Sequence, residues 1–132
     1  MQYIQRLLAP VANHALQRGK SILLLGPRQT GKTTFIREQL KPALEISFVQ
    51  ASARLRYERD PALLEYELQA LIKKHPSPPL IFIDEIQKVP TIMDTVQYII
   101  DKQQAQFILS GSSARKLKHG KDINLLPGRV VA

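Results

Sequence analysis

The chain has 132 residues, 44% of them hydrophobic and 23% charged, and it contains no cysteine. The length suits one domain with its own core, and the composition excludes disulfides, thiolate metal sites and cysteine nucleophiles. Nineteen Lys and Arg against eleven Asp and Glu give a formal charge of +8, which favours anionic partners without choosing among nucleotide, nucleic acid and acidic lipid.

The first segment, MQYIQRLLAP, lacks the long apolar core of a secretion signal, and no apolar run approaches the ~20 residues that span a bilayer. A cytoplasmic location with no membrane partner is therefore expected. Ile4, Leu7, Leu8, Val11 and Ala15 recur at helical spacing, which predicts an amphipathic helix within 1–19, interrupted at Pro10 and ended by Gly19. Ile22 to Leu25 is a short, continuous apolar run and reads as a strand buried on both faces of a parallel sheet.

Directly after that strand comes GPRQTGKTT. It fits G-x-x-x-x-G-K-[ST], whose glycines let backbone amides curl around phosphate oxygens. Gly26, Pro27, Arg28, Gln29, Thr30 and Gly31 are the expected phosphate loop, followed by Lys32, Thr33 and Thr34. Lys32 is expected to reach the β- and γ-phosphates, and the Thr33 hydroxyl to coordinate Mg2+. A lysine in the first turn of a helix faces the positive end of the helix dipole, and no acidic residue lies between Gly26 and Arg37 to balance it. A bound phosphate supplies the missing charge.

A helix is predicted from Lys32 to about Leu40, stopping near Pro42, and a second strand from Leu44 to Val49. Asp60 and Pro61 give an N-cap and a first helical residue for a helix whose apolar face is Leu64, Leu68, Leu71 and Ile72. Leu80 to Ile83 reads as a third strand, ending at Asp84 and Glu85. Ile92, Val96, Ile99 and Ile100 mark another amphipathic helix, and Phe107 to Leu109 a fourth strand before SGSS. The alternation is that of an α/β fold with a mainly parallel sheet.

Carboxyl ends of parallel strands are where such sheets bind ligands, so Asp84 can sit beside the phosphate loop. Its expected role is to hold Mg2+, in part through water, and that of Glu85 is to orient the attacking water. Arg115, Lys116, Lys118, His119 and Lys121 form the densest basic group, which reads as a solvated loop because no aromatic residue is interleaved with it.

GPRQTGKTT, LIFIDEIQKVP and FILSGSSARKL, in that order, resemble the additional-strand P-loop ATPases of the AAA+ type. More narrowly, they are similar to a prokaryotic AAA group whose ATPase core is followed by a C-terminal domain of unknown function. The resemblance implies a three-layer P-loop fold with strand order 5-1-4-3-2, and ATP and Mg2+ as cofactors. It also implies a residue after the fourth strand that senses the γ-phosphate, Ser112 first and Ser110 second. Lys32, Glu85 and Ser112 are thus the expected catalytic side chains.

LPGRVVA resembles the entry to the fifth strand, with Arg129 a further candidate at the phosphate. Against that family pattern the fifth strand is expected to be incomplete, and the helical lid and C-terminal domain to be absent from these 132 residues. The 132-residue chain is therefore expected to be a truncated core, marginally stable and prone to self-association through an exposed strand edge. MgATP binding and hydrolysis is the first functional expectation, and a nucleotide-gated interaction module the alternative. A homo-oligomer or the missing domain is the expected partner; a small P-loop kinase fits less well, because Glu85 stands beside the magnesium Asp. Nucleic acid stays open as a partner of the complete protein, with no motif in this sequence to support it.

Overall fold

The computed structural model describes residues 10, 12–25 and 32–111. Within them a helix over 12–17 (α1) leads to β1 (Ile22–Leu25), then α2 (Lys32–Phe35) and β2 (Leu44–Ser47). Next come α3 (Ala51–Arg59), α4 (Ala62–Lys74), β3 (Leu80–Asp84), α5 (Met93–Asp101) and β4 (Gln106–Gly111). Two short 3-10 turns, Ile86–Lys88 and Pro90–Ile92, separate β3 from α5.

The four strands form one sheet in the order β1-β4-β3-β2, and every pairing is parallel. That is the expected 1-4-3-2 run. The expected fifth strand, Ser112, Arg129 and the basic group at 115–121 lie outside the described residues, as do residues 1–9 and 11 of the expected N-terminal helix.

Alternate side chains of each strand go to opposite faces, and both faces are dry. Leu23, Ile81, Ile83, Phe107 and Leu109 join a cluster with Tyr57, Leu64 and Leu68 of α3 and α4 and Val96 and Ile99 of α5. Ile22, Leu24, Phe82 and Ile108 join the other cluster, with Ala12 and Ala15 of α1 and with Phe35 and Ile36. Helices on both sides of a parallel sheet make three layers. This is why the strands read as continuous apolar runs instead of alternating ones.

Several boundaries differ from expectation. The helix after the phosphate loop does reach Leu40, but its last five residues, Ile36–Leu40, form a π turn closed by Lys41 in the left-handed region, whose N–H returns to the Ile36 carbonyl. β2 stops at Ser47, because Phe48 and Val49 turn away and lend their carbonyls to Arg54 Nη1 at 2.8 and 3.0 Å. Asp60 makes no side-chain cap. Pro61 already has helical dihedrals at the N-cap position, and Asp60 contributes only its carbonyl, to the Leu63 N–H at 3.0 Å.

α3 has no counterpart in the sequence reading. Only Tyr57 of ASARLRYER is buried, so the segment carries no apolar stripe. It is held instead by the T-shaped contact of Tyr57 with Phe48, at 5.8 Å between ring centroids, and by hydrogen bonds from Tyr57 and Arg56 to Glu67 of α4. At the other end of the fold, α1 closes with a Schellman pair, Gly19 N–H to Leu16 and Lys20 N–H to Ala15, with Gly19 at φ +75°.

Candidate functional site

Because all four strands are parallel, their carboxyl ends share one edge of the sheet. The register states which residues arrive there together: Leu25 of β1 is opposite Gly111, Leu24 opposite Ser110, and Ser47 of β2 opposite Asp84. β1 thus ends at Leu25 beside the end of β4, and Asp84 of β3 stands on the other side of β4. Residues 26–31 themselves lie outside the described residues.

Asp84 is half-buried at the last position of β3. Ser110, 1% exposed, donates its hydroxyl proton to Asp84 Oδ1 at 2.6 Å. Of the two serines considered as sensors, Ser110 is therefore the one seen against the carboxylate, while Ser112 lies outside the described residues. A hydroxyl–carboxylate bond of this length is charge-assisted and fixes the rotation of the carboxylate. The Asp84 carbonyl also accepts the Phe48 N–H at 3.0 Å, so the backbone under the side chain is tied to the turn after β2.

Glu85 follows with φ 55° and ψ 49°, the left-handed region, at a cost of about 1–2 kcal/mol for a residue with a Cβ. It is 2% exposed, and the side-chain amide of Gln87 donates to its Oε2. Gln87 is itself 5% exposed among fully buried Ile86, Val89 and Ile92, and its Oε1 has no hydrogen-bond partner among the described residues. The sequence reading missed Gln87. The available signal was a lone amide inside the otherwise apolar stretch that follows Glu85.

α2 opens at Lys32 immediately after the loop, with no acidic residue in its first turn; Thr33 is half-buried and Thr34 exposed. Arg37, in the π turn, makes a bidentate pair with Glu45 of β2, at 2.8 and 3.0 Å from Nε and 2.5 Å from Nη2. The hydrogen bond to Glu45 and then its charge hold the guanidinium pKa above the ordinary value, and the charge of Asp84 adds to this.

Among the described residues no group of three or more His, Cys, Asp or Glu is placed to cage a metal. The chemistry of one carboxylate, Asp84, and one hydroxyl, Thr33, nevertheless fits Mg2+, which keeps its waters and takes one or two protein ligands. No helix among the described residues is long and apolar enough to cross a membrane.

A family model described as "AAA domain" matches residues 18–132. Uncharacterized protein Rv2008c of Mycobacterium tuberculosis is 34% identical over 119 residues, which covers 88% of this chain and 25% of that protein; the chain thus spans a quarter of the length of this relative. Among solved structures, C. elegans PCH-2 superposes with a TM-score of 0.61 at 14% identity, over 98% of this chain and 41% of PCH-2. The replication initiator DnaA bound to AMPPCP and single-stranded DNA gives 0.55 at 18% identity, over 92% of this chain and 42% of DnaA. The parallel 1-4-3-2 sheet, the loop sequence that follows β1 and the family match together identify the chain as a member of the AAA domain family, with the AAA+ P-loop ATPase fold.

Proposed function

We propose that the chain binds MgATP and hydrolyses its terminal phosphoanhydride bond. The observation that carries the reading is the meeting of Asp84 of β3 with Ser110 of β4, next to the end of β1, after which the sequence continues as GPRQTGKTT. The likeness to DnaA, whose structure was solved with AMPPCP, supports a nucleotide as the ligand.

In this reading the amides of 26–31 and the ammonium group of Lys32 hold the phosphates, and Thr33 with Asp84 holds Mg2+. When bound there, the ion would neutralise charge on the phosphate oxygens. Ser110 keeps the Asp84 carboxylate in one rotamer. Glu85 orients water for in-line attack, Ser112 senses the γ-phosphate, and Thr34 completes the nucleotide contacts. The three quarters of the relative that this chain does not span favour a second reading, in which nucleotide binding gates an interaction with a further domain or another subunit.

Calorimetry with MgATP and a phosphate-release assay test both readings. Lys32→Ala is expected to weaken binding by at least about tenfold. Glu85→Gln is expected to keep binding and to lower turnover by about a hundredfold or more. Absence of heat from MgATP with folded protein overturns the nucleotide reading. Binding that persists with no turnover in any preparation selects the gated module.

A further inference from the structure

Glu85 and Gln87 concentrate two unfavourable features within three residues. A non-glycine residue is held in left-handed backbone conformation at the end of a sheet strand. Two positions on, an amide side chain is buried with its oxygen lacking a partner among the described residues. Packing does not require the amide: Ile86, Val89 and Ile92 around it in sequence are fully buried and apolar, and a leucine would fill the volume without a polar oxygen to satisfy. The amide has a use in its other half, since Gln87 Nε2 donates to Glu85 Oε2.

Rotation of a carboxylate about its last torsion is broad, so a glutamate that must orient a water needs a partner to fix its plane. The 3-10 turn Ile86–Lys88 supplies one. Its Lys88 N–H closes on the Glu85 carbonyl at 3.1 Å, which brings the side chain at 87 back over residue 85. Ser110 does the same for Asp84 from β4, so each of the two adjacent carboxylates has its own neutral donor.

We infer that Gln87 is a positioning residue for hydrolysis: its side-chain amide sets the plane of the Glu85 carboxylate, from a short helical turn that carries no other polar buried group. This rests on the MgATP hydrolysis reading above. It makes Gln87 a determinant of turnover and not of nucleotide affinity.

The test is a comparison of the unchanged chain with Gln87→Leu, Glu85→Gln and the double variant, measuring MgATP affinity by calorimetry and kcat and KM by phosphate release. Gln87→Leu is expected to lower kcat about tenfold, with KM and affinity within about twofold. In the Glu85→Gln background it is expected to change kcat by less than about twofold, because both residues act through one carboxylate. A merely structural amide would shift the melting temperature and leave kcat alone.

A second readout needs no turnover. The side-chain NH2 resonances of Gln87 are expected to lie downfield in the unchanged chain, and to move upfield in Glu85→Gln, when the charged acceptor is lost. Should Gln87→Leu fail to fold, Gln87→Met and this spectrum decide instead. If kcat survives in Gln87→Leu while Glu85→Gln abolishes it, or if the NH2 resonances ignore Glu85→Gln, the role of Gln87 is overturned and the hydrolysis reading stands. If the unchanged chain neither binds nor turns over MgATP, both fall together.

Discussion

Ser110 of β4 holds Asp84 of β3 by a 2.6 Å hydrogen bond between residues 26 apart in sequence, and it does so on the strand that also carries β1. Removing the hydroxyl leaves the carboxylate in place but free to rotate. Ser110→Ala is expected to forfeit about 1–2 kcal/mol of that ordering, a five- to thirtyfold weaker apparent magnesium affinity. A magnesium titration of ATPase activity at fixed ATP reads it directly. Superimposable curves for the two proteins would remove Ser110 from the site.

Burial, and then the hydrogen bond to Glu67, push the ionisation of the Tyr57 hydroxyl well above its usual value near 10. The folded state therefore prefers the protonated phenol. Its contribution is complete below about pH 10 and is lost as pH rises from there toward the raised value. Tyr57→Phe is expected to be less stable by about 1 kcal/mol at neutral pH and to show a shallower alkaline decline. Urea midpoints at about pH 8 and about pH 11 check the sign, and an equal decline in both proteins contradicts the assignment.

Gly19 terminates α1 at φ +75°, and a Cβ built there would meet nothing within 4 Å. The cost of a side chain is thus torsional and not steric. Gly19→Ala is expected to lose about 1 kcal/mol, or roughly 3–5 °C in Tm for a domain of this size, and Gly19→Asn less. Equal melting temperatures for Ala and Gly would mean that the α1 terminus adds nothing to cooperative stability.

Phe82 sits at the middle of β3, fully buried, against the α1 and α2 side of the sheet. Phe82→Ala is expected to cost about 3–5 kcal/mol, a large share of the 5–15 kcal/mol typical of a whole domain. Tyr66, 71% exposed on α4, is the control: Tyr66→Ala is expected to stay within about 0.5 kcal/mol. Guanidinium midpoints separate the two, and a Phe82→Ala loss below about 1 kcal/mol would show that this layer is not tightly packed.

The strands were legible because a sheet covered on both faces needs uninterrupted apolar runs, and Ile22 to Leu25 and Leu80 to Ile83 are such runs. Asp84 could be placed at the carboxyl edge of the sheet for the same reason, since the polar residue that ends a buried strand marks its carboxyl end. α3 could not be read: its helix is fixed by Tyr57, Arg54 and Arg56 reaching other elements, and such contacts leave no period in the sequence. Gln87 was hidden for a related reason. Its meaning depends on the left-handed turn at Glu85 that folds it back, and a glutamate in that conformation has no propensity signal. The π turn at Ile36–Leu40 was likewise invisible, because it keeps the length of an ordinary helix while changing its hydrogen bonds.

β4 is the last described strand to be synthesised and the one that sits between β1 and β3, with Phe107 N–H reaching back 86 residues to Ser21 Oγ. Until it emerges from the ribosome, β1 has no strand beside it among the described residues, and Asp84 has no serine. Closing so long a loop is slow, so the half-made chain carries an apolar strand without its described neighbour until β4 has been made. The order of this sheet makes assembly of the site wait for β4, and it places a period of aggregation hazard before the nascent chain can hold a ligand.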